Sequence, residues 1–356
     1  MNTTLAKNSL DGKVQLQATE SEGNARIKNL LFKEKIFTSA TLSPPLPPIG
    51  IPNLGNTCYI ASVIQASMLF QKSALQEKLI TADANERKTI QAILDWIHEY
   101  ENTKGAINLH SILRILQQNG MYNGTQQDAA ELITWLGNFQ PNSSVYFQQI
   151  FKTVPLVEGE FIIEDEGNRS QLVREIPLEV ECSHGTKQIK PGQTLLSLLK
   201  KFFSEIDVQD QHAYRDCLVQ DNQGNLSERR IPVISKKEIL SSAPKELTLQ
   251  IKKFSKNHNT GVLHRLEGAL EDVPEIFVMP QEYCANGETA TYQLRSVISH
   301  LGSNLDGGHY VAYVRKGNSY FYANDRRIEK IDREGMLEGA RNGYILIYDK
   351  IVQPSQ

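Results

Sequence analysis

The chain changes its hydrophobic period once, and that change limits the folds open to it. From Tyr59 to about Phe139 the apolar residues repeat as they do on helices. Ile90, Ile93, Leu94 and Ile97 recur at i, i+3, i+4 and i+7, which places one apolar stripe along a helix. Leu109, Ile112, Leu113 and Leu116 do the same in the next segment. From about Val145 the pattern becomes short β-rich runs. Phe161–Ile163 is one, and Glu246–Ile251 alternates strictly. In Ile176–Val180, Leu178 and Val180 alternate around Glu179, while Pro177 confines the run to a strand start or a sheet edge. One helix, Leu195–Phe203, interrupts this half. Further strands are predicted at Tyr292–Ser299, His309–Arg315 and Tyr344–Tyr348. No internal repeat is visible. A helical half followed by a β half predicts an α+β fold.

At 356 residues and 40% hydrophobic content, the chain can bury a sizeable core as one large or two modest domains. Residues 1–43 are polar and lack sustained periodicity, apart from a short amphipathic stretch at Ile27–Phe32. Pro44-Pro45-Leu46-Pro47-Pro48 then reads as a stiff spacer, with a polyproline-reading partner as the other use for it. The expected organisation is a disordered leader with its linker over 1–48, a folded domain over 49–350 and a tail over 351–356. The net charge of −3 and scattered Lys and Arg give no electrostatic reason to expect nucleic acid or an anionic membrane as partner. No run approaches the roughly 18 apolar residues of a membrane span, and the first residues lack the core of a secretory signal. The four cysteines, Cys58, Cys182, Cys217 and Cys284, include no C-x-x-C pair, which argues for a reducing compartment. The expectation is a soluble, intracellular protein; a microbial effector acting in a host cytosol is compatible with the same features.

Two separated segments carry the chemistry. Cys58 directly precedes the helical run Tyr59–Gln65, where the positive end of the helix dipole favours a thiolate, and Gly55 allows a tight approach just before it. A small buried hydrophobe is the ordinary role of a lone cysteine. His309 follows Gly307-Gly308 and opens a strand, a setting that none of the other seven histidines shares. A thiol and a distant histidine are how a thiol protease distributes its nucleophile and base. A third group must orient the imidazole, and Asn324-Asp325 offers two adjacent candidates. Neighbours on a strand face opposite sides, so only one of them is expected to point at the ring.

The segments Gly50–Tyr59 and Gly307–Tyr313 resemble the Cys box and His box of the ubiquitin-specific proteases. The likeness extends over roughly 49–350. Gln126–Leu132 resembles that family's QQD box, Pro244–Phe254 its Leu-Lys-Arg-Phe strand, His300-Leu301-Gly302 the start of the loop to the histidine, and Gly343–Tyr348 its closing strand. The resemblance implies a papain-like fold with a helical thumb, a β-rich palm and reduced β-fingers. It maps the histidine-orienting residue onto Asn324, with Asp325 beside it or near the oxyanion site, and the oxyanion-binding amide onto Asn53. Asp128 and Glu131, placed i, i+3 on one helix face beside Gln127, would receive the arginines of ubiquitin's tail. Gly307, Gly308 and Tyr310 would close a narrow channel over the tail's glycines.

Ubiquitin and ubiquitinated proteins are thus the expected partners. The implied activity is hydrolysis after the C-terminal glycine of ubiquitin, with no cofactor. The alternatives are a protease for a ubiquitin-like modifier of the SUMO or Rub type, and a silent ubiquitin-binding scaffold. Two departures stand out. Many relatives tie their fingers with two C-x-x-C pairs, whereas Cys182 and Cys217 stand alone, so no zinc site is expected. Ala61 replaces an Asn common just after the family's cysteine, and likeness is weakest over about 157–235.

Overall fold

A computed structural model describes residues 47–103, 107–139, 145–165, 171–183, 186–210, 213–256, 263–302 and 307–351. The expected leader lies outside the described residues but for its last two positions, and so does most of the tail and of the Pro-rich spacer.

Among the described residues five α-helices come first: α1 (Cys58–Ala66), α2 (Lys72–Thr81), α3 (Ala84–Asn102), α4 (His110–Gln118) and α5 (Ala129–Gly137). All nine residues of α1 are buried, because this helix is wedged between α5 and the sheet behind it. Its polar residues are satisfied locally. Gln65 Nε2 donates to the Ile49 carbonyl at 2.6 Å, and Ser296 Oγ closes the helix end by donating to the Ala66 carbonyl at 2.6 Å. Asp83 and Glu86 form a capping box at the start of α3, whose Ile90, Ile93, Leu94 and Ile97 stripe is buried as the sequence predicts.

The other described residues build two large sheets and a two-stranded one, in which β9 (Phe254–Lys256) pairs with β10 (Leu263–Arg265). Strands β1 (Val145–Thr153), β2 (Phe161–Asp165), β3 (Gln171–Val173), β5 (Ile206–Asp207), β6 (Tyr214–Gln220) and β7 (Leu226–Leu240) form the fingers, in the order β2-β6-β7-β1-β3 with β5 against β7. At 15 residues, β7 spans roughly 50 Å and joins both halves of this sheet. The palm combines β4 (Ile176–Glu179), β8 (Glu246–Lys252), β11 (Ile276–Met279), β12 (Ala290–Leu301), β13 (His309–Lys316), β14 (Ser319–Asn324), β15 (Arg327–Ile331) and β16 (Ile345–Ile351) in the order β15-β14-β13-β12-β16-β8-β4, with β11 against β12. Strand β4 is the edge that Pro177 requires, pairing parallel to β8 alone. Helix α6 (Leu195–Phe202) and helix α7 (Arg333–Arg341) cover the outer palm face.

Alternation along the palm strands creates two cores. Ile298, Tyr310, Ala312, Ile345 and Ile347 face the thumb helices, while Val297, Leu249, Ile251, Leu346 and Tyr348 face α6 and α7. Burial on both faces explains why 344–348 reads as an unbroken apolar run. The architecture is the α+β, papain-like one.

One expectation changes here. Asp128 is not inside a helix: with φ −76° and ψ 128° it is the N-cap of α5, and only Glu131 is helical. Asp caps well because its carboxylate accepts an N–H that the first turn leaves free; here Oδ1 takes Ala130 N–H at 2.9 Å.

Candidate active site

Cys58 is the first residue of α1 and lies at the thumb–palm junction, 2% exposed. Burial pushes its thiol above the ordinary value, and the Asp325 carboxylate adds to that. The Tyr310 N–H pulls the other way by hydrogen-bonding the sulfur, and the N–H groups at the helix start help it. The net direction is upward, so burial outweighs the dipole effect expected from the sequence. Burial thus disfavours the thiolate, and attack by this group calls for a base.

That base can be His309. It begins β13, next to the Tyr310 that touches the sulfur. Its Nε2 lies 2.7 Å from Asn324 Oδ1, at the end of β14. Asn324 Nδ2 donates to Tyr322 Oη at 3.4 Å, which fixes the amide with its oxygen toward the ring. Nε2 must therefore carry the proton, and Nδ1 is left with the lone pair.

Gly308 makes this approach possible. Its φ is +148°, and a Cβ there would fall 2.6 Å from both His300 Nε2 and the Leu301 carbonyl.

The expectation that only one of Asn324 and Asp325 faces the ring does not hold. The strand ends at Asn324, and Asp325 takes a left-handed φ of +51° in the turn to β15. Strand alternation no longer applies there, and Asp325 Oδ2 comes to 3.8 Å from His309 Nε2. That distance is too long for a hydrogen bond. Asp325 instead accepts from Asn53 Nδ2 at 3.1 Å, while its main-chain carbonyl accepts from Ile51 N–H at 2.9 Å.

Asn53 sits in the loop before α1. Its Oδ1 accepts from the N–H groups of Gly55 at 3.0 Å and Thr57 at 3.3 Å, so the amide is held from both ends. One of its two Nδ2 hydrogens is directed at Asp325, and the second is left for a ligand. Thr57 also accepts from Leu54 N–H through Oγ1 at 2.9 Å. Sequence reasoning missed this tie, and the spacing Asn53-x-x-x-Thr57 was the only available signal.

Around the corner lie the residues read as tail-binding. Asp128 spends one carboxylate oxygen on its cap and the other on Tyr344 Oη, at 2.8 Å. Glu131 is exposed one turn along. Gln127 turns back on its own loop, donating to Asn123 Oδ1 at 2.8 Å and Thr125 Oγ1 at 2.7 Å. These three border a small recess with Tyr59 and Met121. Tyr310 departs from its expected role. Its side chain is fully buried, with its ring edge-on to His300 at 4.7 Å, so it backs the channel wall and only its N–H reaches the site.

Gly307 is exposed at the mouth. Among the described residues there is no group of three or more His, Cys, Asp or Glu that could hold a metal ion. Cys217 is packed in the fingers core, and Cys182 is exposed. No helix among the described residues is long and apolar enough to cross a membrane.

This geometry has parallels among known proteins. The Ubiquitin carboxyl-terminal hydrolase family profile matches residues 49–348. Ubiquitin carboxyl-terminal hydrolase 48 of Danio rerio is 26% identical over 316 residues, covering 82% of this chain and 28% of that protein. Ubiquitin carboxyl-terminal hydrolase 12 of Salmo salar is 24% identical over 333 residues, covering 84% of this chain and 88% of that protein. The chain thus spans less than a third of the length of the zebrafish relative. Among solved structures, the SAGA Ubp8/Sgf11/Sus1/Sgf73 DUB module bound to ubiquitin aldehyde contains a chain that superposes with a TM-score of 0.62 at 19% identity. That match covers 91% of this chain and 75% of the other. With a family profile matched across most of its length, the chain belongs to the ubiquitin carboxyl-terminal hydrolase family.

Proposed function

We propose that the chain is a thiol-dependent deubiquitinase that hydrolyses the isopeptide or peptide bond after the C-terminal glycine of ubiquitin. The observation that carries this reading is the His309 Nε2 contact to Asn324 Oδ1 at 2.7 Å beside a buried Cys58 whose sulfur meets the next residue's N–H. Family membership, and a structural neighbour solved with ubiquitin aldehyde, support the choice of substrate.

In this mechanism, Cys58 Sγ gives its proton to His309 Nδ1 and attacks the glycine carbonyl carbon, forming the S–C bond. The second Asn53 Nδ2 hydrogen and the Cys58 N–H hold the oxyanion. As the C–N bond breaks, the imidazolium returns the proton to the leaving amine. Water, deprotonated by His309, then attacks the thioester and releases the thiol. Asn324 keeps the imidazole in the required tautomer without adding charge. Asp325 acts through Asn53. Glu131, and Asp128 where its bonds to Ala130 and Tyr344 leave room, face the arginines of the tail. Such a thiol suits a reducing, intracellular compartment.

A ubiquitin probe carrying a C-terminal propargyl amide tests this reading. Labelling at Cys58, with turnover of a ubiquitin C-terminal fluorogenic substrate, is expected. Ubiquitin binding with neither labelling nor turnover would indicate a binding scaffold. Turnover of only a SUMO- or Rub-type conjugate would replace the substrate.

A further inference from the structure

Beside Asp128 lies a carboxylate that the mechanism does not use. Glu175 immediately precedes β4. Register aligns Pro177 with Gln250 and Glu179 with Lys252, opposite in face to the Ile176, Leu178, Leu249 and Ile251 core set. Glu175 stands one residue before the strand and within electrostatic range of both Asp128 and Lys252 of β8. The two acids repel each other, and the attraction to Lys252 outweighs that repulsion. Arg174 neighbours it in sequence, with its aliphatic stem against Gly137 of α5. Glu175 as a whole stays partly exposed, yet its Oε2 is buried without a hydrogen-bond partner among the described residues.

A second acceptor waits on β8. Tyr344 gives its one hydroxyl proton to Asp128, so it must accept from Gln250 Nε2, at 2.8 Å. That fixes the Gln250 amide and leaves its Oε1 unpartnered, in a side chain only 4% exposed. Two buried acceptors, Glu175 Oε2 and Gln250 Oε1, are thus left without a donor among the described residues. A group with several N–H donors and a positive charge fits that deficit, and guanidinium has five in a planar fork.

We propose that Glu175, supported by the Gln250 amide oxygen, is a further specificity-determining residue that receives an arginine side chain of the modifier's tail. This rests on the deubiquitinase reading above. It assigns to the palm edge a share of the recognition otherwise given to the thumb acids alone. Burial agrees with it: desolvation raises the Glu175 carboxyl to about 7, and a neighbouring arginine would favour the ionised form.

The test is steady-state kinetics of the wild type and Glu175→Gln on two fluorogenic substrates. One is ubiquitin and the other is ubiquitin with both tail arginines replaced by glutamine. On ubiquitin the isosteric variant is expected to raise KM about tenfold with kcat little changed. On the arginine-free tail the difference between variant and wild type should vanish. For the wild type, KM on ubiquitin should fall as pH rises from about 6 to about 8, because only the ionised carboxylate pairs, and this slope should be absent from Glu175→Gln. An unchanged KM on ubiquitin, or an equal loss on both tails, would overturn the assignment while leaving the deubiquitinase reading intact. A wild type inert toward ubiquitin and unlabelled by the propargyl probe would overturn that reading, and the proposal with it.

Discussion

At His309 the nitrogen that faces Asn324 decides what the other nitrogen can do, and the first expectations follow from that. Cys58→Ala should abolish turnover of the ubiquitin substrate while ubiquitin binding persists, as isothermal titration would read; normal turnover would exclude the thiol mechanism. Asn324→Ala should lower kcat about 100-fold with less effect on KM, since orientation of the base matters most in the transition state. Asp325→Ala should cost less, because its contact with the ring is 3.8 Å and its hydrogen bond goes to Asn53. If Asp325→Ala were the more damaging change, the imidazole partner would be misassigned. Cys58, His309 and the Asn324-Asp325 pair stood out as candidates in the sequence from their local contexts, and the choice of Asn324 came from the family resemblance. The position of Asp325 was not legible. Alternation predicts faces only within a strand, and this strand ends one residue before it.

Helix α5 shows how one element can divide two acids between different tasks. Asp128 caps the helix and holds Tyr344, so it is a structural group first. Asp128→Ala should cost about 1–2 kcal/mol of stability from the cap, and leave Tyr344 Oη without its acceptor; urea unfolding measures this. Glu131 is exposed and makes neither bond. Glu131→Lys should leave the urea midpoint unchanged and raise KM for ubiquitin about tenfold, allowing for solvent screening. An unaffected KM would remove Glu131 from tail recognition. The helices and strands themselves were largely predictable from their periods, including the edge position of β4 from Pro177. The boundary at Asp128 was not, since an N-cap and a first-turn residue share the same i, i+3 spacing to Glu131.

Across the whole molecule, one buried cation tests the packing. Lys253 is 1% exposed, and its Nζ has the Gly268 carbonyl at 3.5 Å for company. Burial, with some repulsion from Arg265, lowers it from 10.5 to about 7. Between those values the unfolded chain binds a proton that folded Lys253 has released, so stability should rise with pH across that window and this contribution should level off below it. Lys253→Met should raise the Tm at pH 7 and flatten its rise toward pH 9; an unaltered slope would place the cation in water.

The sequence has no C-x-x-C pair, and the fingers hold a small core of Cys217, Val219 and Ile231 and a bidentate Arg229–Glu160 pair. A chelator should therefore leave the Tm unchanged. The sequence by itself determined the α+β order, the helix-opening thiol, the histidine on its glycine-preceded strand and the family, because those depend on local spacing and ordered motifs. Only the tertiary structure decided that Asp325 holds Asn53, that Tyr344 holds Asp128, and that Glu175 comes near Asp128. These contacts join residues far apart in the chain, and their geometry comes from strand register and burial, which no local pattern encodes.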